Sequence, residues 1–81
     1  MNELRLSALG RQLMSDRLRV FSTPSEHLMV YKVLQAEGPM NLEELKSVLV
    51  GVRVEGRTWT PTLVENVVRE LVRIGTIEGL E

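Results

Sequence analysis

Apolar positions fall at helical spacing along most of the chain. Leu6, Leu9 and Leu13 recur at i, i+3 and i+7, and Met14 and Leu18 widen the stripe. The opening segment, from Asn2 to about Leu18, therefore reads as an amphipathic helix. Gly10 in its middle weakens that helix by about 1 kcal/mol relative to Ala. Thr23-Pro24-Ser25-Glu26 then sets a hydroxyl at an N-cap, Pro at the first helical position and Glu at the third, which predicts a second helix over 24–37. Leu28, Val30, Tyr31, Val33 and Leu34 give it a broad apolar face, and Gly38-Pro39 ends it. Asn41-Leu42-Glu43-Glu44 is a capping box that opens a third helix, whose buried stripe is Leu42, Leu45, Val48 and Leu49 and which ends near Gly51. The joint between these two helices is so short that they must pack on each other.

The helical period fails from Val52 to Trp59. Two readings fit the alternation around Glu55-Gly56, a small hairpin or an extended loop. Thr60-Pro61 repeats the cap-then-proline signal and opens the last helix, with Val64, Val67, Val68, Leu71 and Ile74 facing inward and Gly75 closing it. The stretch Thr76 to Leu80 reads as one short strand. The predicted order is helix, helix, helix, loop, helix, strand, and its last three helices have the lengths and joints of a helix-turn-helix bundle.

Composition narrows the picture. Eighty-one residues make one domain with no second core. The chain is 43% hydrophobic but has one Phe, one Trp and one Tyr, so the core must be mainly aliphatic. A chain of this size buries roughly 60% of its unfolded surface, which makes a lone monomer marginal and dimerisation a natural source of further burial. With no cysteine there is neither disulfide staple nor Cys-based metal site. No signal-like or membrane-spanning stretch is present, so a soluble cytoplasmic protein is expected. The net charge of −1 is unevenly spread: residues 1–22 carry four arginines against Glu3 and Asp16, whereas residues 23–81 carry six Lys/Arg against nine Glu. That balance argues against strong non-specific binding to nucleic acid.

The stretch from Ser25 to Gly79 resembles the winged-helix repressors of the penicillinase-repressor and copper-responsive type. The matching residues are Glu26 through Gly38-Pro39, Leu42-Glu43-Glu44-Leu45, and Thr58-Trp59-Thr60-Pro61-Thr62 leading into Val67-Val68-Arg69-Glu70-Leu71-Val72-Arg73-Ile74-Gly75. In that family a Trp followed by a hydroxyl residue opens the recognition helix, and a terminal Gly leads into the wing. The resemblance implies a mainly α fold: a winged helix-turn-helix three-helix bundle over 23–81, preceded by an N-terminal amphipathic helix over 1–22. With a single strand after the last helix, the β wing is expected to be short and incomplete. The N-terminal helix stands where the family has C-terminal dimerisation helices, as a dimer element or a cover for the bundle.

If the last helix enters a major groove, Thr62, Asn66, Arg69 and Arg73 share one face and can read it, Arg at guanine and Asn at adenine. Thr58, Thr60 and Thr62 sit where a helix start holds a phosphate, and Arg53 and Arg57 can add backbone contacts. The plainer reading of the same face is a solvated surface on which Glu65 pairs with Arg69 at i, i+4. Trp59 reads as a core plug beneath the last helix rather than a stacking platform. His27 is the only histidine, and a lone His in a first turn is ordinarily a surface residue, so no metal or cofactor is expected. The arginines of the first segment fit a basic arm on DNA or, preferably, the solvated face of a helix whose Leu6, Leu9 and Leu13 meet a partner or a second copy. There is no glycine-rich phosphate loop and no Ser/His/Asp arrangement, so catalysis is not expected. Two functions follow: a small DNA-binding transcriptional regulator acting on double-stranded DNA, or a winged helix used for protein–protein contact in a larger assembly.

Overall fold

The computed structural model describes residues 3–79. Its elements in chain order are β1 (Arg5–Leu6), α1 (Ala8–Met14), α2 (Arg17–Phe21), α3 (Ser25–Glu37), α4 (Leu42–Leu49), β2 (Arg53–Val54), β3 (Arg57–Thr58), α5 (Pro61–Ile74) and β4 (Ile77–Glu78). The molecule is mainly helical with small antiparallel sheets.

The predicted N-terminal helix is not continuous. Ser7 is extended, with ψ 175°, and its hydroxyl accepts the Gly10 N–H, so α1 cannot begin before Ala8. Upstream, Leu4 and Leu6 alternate with Glu3 and Arg5, a strand period, and both leucines enter the core. Asp16 caps a separate short helix by accepting the N–H groups of Leu18 and Arg19 at 3.1 and 3.3 Å. The expected stripe is therefore dispersed: Leu6 lies in β1, Leu13 is half-buried, and Leu18 faces out.

The N-terminal strand also alters the expected wing. β4 is not left single: it pairs antiparallel with β1, in the register Arg5 with Glu78 and Leu6 with Ile77. On its other side the N-terminal stretch bridges to the joint between α3 and α4, with Leu4 N–H to Met40 O at 2.7 Å and Met40 N–H to Leu4 O at 3.1 Å. The N-terminal strand thus sits between Met40 and β4, where it satisfies backbone groups on both sides. The predicted strand reached Leu80, which lies outside the described residues.

The other elements follow their local signals, with one exchange, but Val48 and Ile74, expected in the buried faces of α4 and α5, are 45% and 44% exposed. The Asn41–Glu44 capping box forms, with reciprocal hydrogen bonds of 2.8 and 2.9 Å. Thr60 accepts the Leu63 N–H, Pro61 fills the first turn, and Gly75 ends α5 at φ 98°. Thr23, however, does not cap α3. Its hydroxyl donates to the Arg19 carbonyl and closes α2, and Pro24 precedes α3 without a side-chain cap. The core gathers Val30, Tyr31 and Leu34 of α3, Leu45 and Leu49 of α4, Val64, Val67, Val68 and Leu71 of α5, and Ile77 of β4 around Trp59. Trp59 is 1% exposed, a plug at the foot of α5 as its position suggested. The Tyr31 hydroxyl meets Thr76 Oγ1 at 2.8 Å inside this core, joining α3 to the turn after α5.

Candidate nucleic-acid interface

α5 is held on one side and open on the other. Val64, Val67, Val68 and Leu71 are buried along one face, while Thr62, Asn66, Arg69 and Arg73 are exposed on the opposite one. The helical spacing that suggested a shared face is thus realised on a helix fixed by its core.

The charges on this face are not equally available. Glu65 does not pair with Arg69. It reaches across to α4, where Lys46 Nζ donates to it at 2.5 Å and also approaches Glu43 at 3.4 Å. The hydrogen bond from Lys46 holds the Glu65 carboxyl below the usual glutamate range, and the same bond raises the Lys46 ammonium above its ordinary value. Among the described residues, no carboxylate lies within ion-pair distance of Arg69. Arg73 is engaged: its guanidinium makes two hydrogen bonds to Glu70, at 3.2 and 2.5 Å. That fork holds the Glu70 carboxyl below its ordinary value and raises Arg73 in return. Arg69 is consequently outside any ion pair among the described residues, although its charge helps to lower Glu65, and Arg73 is a cation whose charge is partly balanced.

The hydroxyls divide in the same way. The Thr60 oxygen accepts the Leu63 N–H at 3.1 Å, so it is committed to the cap, whereas Thr62 is exposed at the second position of α5. Residues 53–58 form the hairpin, the first of the two readings left open. Glu55 and Gly56 both have positive φ, 49° and 81°, as a two-residue I′ turn requires. Its register pairs Arg53 with Thr58 and Val54 with Arg57, which puts the two arginines on opposite faces of the ribbon. Arg57 Nη1 reaches Glu26 of α3 at 3.2 Å. Arg53 is exposed, with no ion-pair partner among the described residues. The structure therefore brings Thr62, Asn66, Arg69 and Arg73 together, and it separates Arg57 from Arg53.

Of the expected dimer residues, Leu6 is 7% exposed within the sheet, Leu13 is half-buried, and Leu9, at 40%, is exposed. The sequence reading missed Phe21, which is 92% exposed on α2. Its signal was Ser15-Asp16, an N-cap pair that restarts the helix and turns its apolar residues outward. Among the described residues, no group of three His, Asp or Glu is placed to hold a metal ion, and no helix is long and apolar enough to cross a membrane. Compared with family models, curated proteins and solved structures, the chain matches none.

Proposed function

We propose that this chain is a winged-helix domain that binds double-stranded DNA through the outward face of α5. The observation that carries the reading is the exposed row Thr62, Asn66, Arg69 and Arg73 on a helix whose other side is locked into the core. Such a helix offers a fixed set of donors to base edges and phosphates without reorganising. Arg69 has the strongest role, because its guanidinium is in no ion pair among the described residues. Arg53 adds a phosphate contact from the hairpin. The wing in this reading is β4 with β1, the second strand coming from the start of the chain rather than from beyond β4. With few cations in play, binding depends on few phosphates and has a shallow salt slope.

The test is fluorescence anisotropy with labelled genomic fragments across a salt series. Salt-sensitive binding that Arg69→Ala weakens at least about tenfold, with an unchanged circular dichroism spectrum, is the expected result. Absence of salt-sensitive binding by the parent chain removes the reading. A second function, docking to another protein, draws support from the exposed Leu18 and Phe21 of α2, which no DNA contact explains.

A further inference from the structure

Residues of α1, α2, α3 and the end of α5 line a cleft of about 260 Å³ that opens to solvent. Its walls are Leu13 of α1, Pro24 and Ile74, and the core leaves Ile74 44% exposed. Tyr31 and Thr76, both buried, form the floor. Their hydroxyls already meet each other at 2.8 Å, and Thr76 Oγ1 lies 3.4 Å from the Leu71 carbonyl as well. The two remaining hydroxyls of the lining, on Ser22 and Thr23, donate to the carbonyls of Leu18 and Arg19. An apolar body laid in this cleft therefore covers no hydroxyl that lacks a partner, so it meets no large desolvation penalty.

The charge of the lining has one sign. Arg19 and His27 are its basic side chains, and no carboxylate belongs to it. Neither of the two is in an ion pair among the described residues. The nearby acids are occupied elsewhere. Glu70 is close enough to His27 for their charges to interact, but its oxygens are held by the Arg73 fork. Asp16 accepts the N–H groups of Leu18 and Arg19. The volume lies just under the about 300–1,000 Å³ of small-molecule sites, which limits an occupant to one ring or a short branched chain.

We propose that this cleft binds a small apolar monocarboxylate, its hydrocarbon body against Leu13, Ile74 and the Tyr31 ring and its charge at Arg19 and His27. A phosphate matches the two cations but gains nothing from the apolar walls and is costly to strip of water. A neutral molecule of the same shape forgoes the charge-assisted hydrogen bonds, and an amine is repelled by both cations. None of Thr62, Asn66, Arg69 and Arg73 lines the cleft, so the proposal stands or falls independently of DNA binding by α5.

The experiment is a titration of the whole chain with benzoate, without DNA and at constant ionic strength, from about 0.1 to about 50 mM. Amide proton–nitrogen NMR correlation spectra report it. Saturable shifts centred on Arg19, His27, Ile74 and Thr76 are expected, with a dissociation constant of roughly millimolar for so small a ligand. Benzyl alcohol binds at least about fivefold more weakly, and benzylamine does not saturate. Arg19→Gln and His27→Gln each raise the benzoate constant at least about threefold, and Ile74→Glu, which sets a carboxylate on the wall, abolishes binding. All three positions lie outside the buried core, so the variants keep their fold, which circular dichroism verifies. Three results overturn the proposal: no saturable shifts, benzyl alcohol binding as well as benzoate, or benzoate binding that ignores the Arg19 and His27 substitutions.

Discussion

Replacing Gly10 by Ala tests whether helix propensity or close packing governs α1. Propensity alone favours Ala by about 1 kcal/mol in a helix interior. The structure reverses the sign. A Cβ on Gly10 would overlap the Thr76 carbonyl oxygen and stand 3.2 Å from both the Thr76 carbonyl carbon and Leu6 Cδ2. The obstacle is mainly backbone, which cannot rotate aside as a side chain can. To admit the methyl, α1 must withdraw from a junction held by three hydrogen bonds: Ser7 N–H to Thr76 O at 3.0 Å, Ser7 Oγ to Gly75 O at 2.5 Å, and Gly10 N–H to Ser7 Oγ at 3.1 Å. Overpacking of this kind costs about 1–3 kcal/mol, and weakening one of those bonds adds about 1 kcal/mol. Set against the propensity gain, Gly10→Ala is expected to destabilise the fold by about 1–3 kcal/mol. At about 4–8 °C per kcal/mol for a domain of this size, the midpoint falls by roughly 5–20 °C. Urea unfolding followed by far-UV circular dichroism measures the change. A variant as stable as the parent, or more so, refutes the close approach of α1 to Thr76.

Other substitutions probe the core and the α4–α5 contact. Trp59→Ala empties the site beneath α5 and should cost about 3–5 kcal/mol in chemical denaturation, whereas Trp59→Phe costs less, because the buried indole N–H has no hydrogen-bond partner among the described residues to lose. Tyr31→Phe removes the 2.8 Å bond to Thr76 and should cost about 1–2 kcal/mol while leaving the helical spectrum intact. Because Glu65 is held below its ordinary value of 4.5 by Lys46, its contribution to stability is full above that value and disappears as the pH falls through the lowered one. Stability curves of the parent and of Lys46→Met should accordingly differ at neutral pH and converge in acid. Parallel curves down to the lowest pH would show that the Lys46–Glu65 pair is not formed in solution.

The signals that were legible in the sequence are those that act within a few residues. The Asn41–Glu44 box, the Thr60-Pro61 start and the Gly75 stop each satisfy local backbone groups, and α4 and α5 stand where those residues put them. The outward row from Thr62 to Arg73 was legible for the same reason, since 3.6-residue periodicity fixes it once α5 exists. The N-terminal segment was misread because two periods overlap there. Leu6, Leu9 and Leu13 fit a helix, while Leu4 and Leu6 fit a strand, and only the distant Met40 and Ile77 decide between them. The partners of the charges were equally hidden. Lys46 is nineteen residues from Glu65, and Glu26 is thirty-one from Arg57, separations that no local pattern encodes. Phe21 was overlooked because an apolar residue at the end of a leucine-rich segment looks like core until the cap at Asp16 redirects it.

Seating β1 between Met40 and β4 also governs how the molecule is assembled. Arg5 and Glu78 are seventy-three positions apart yet joined by an ion pair of 2.9 Å, so the sheet is a strongly non-local contact. The α3–α4 corner and the hairpin rely on near neighbours and can form early, whereas the sheet must wait for β4 to meet β1. During synthesis on a ribosome, the N-terminal strand can meet Met40 but lacks its second neighbour until β4 emerges, and the refolding rate should be set by that closure. Joining β4 to β1 through a short linker and opening the chain at Glu55-Gly56 would turn this slow step into a local hairpin.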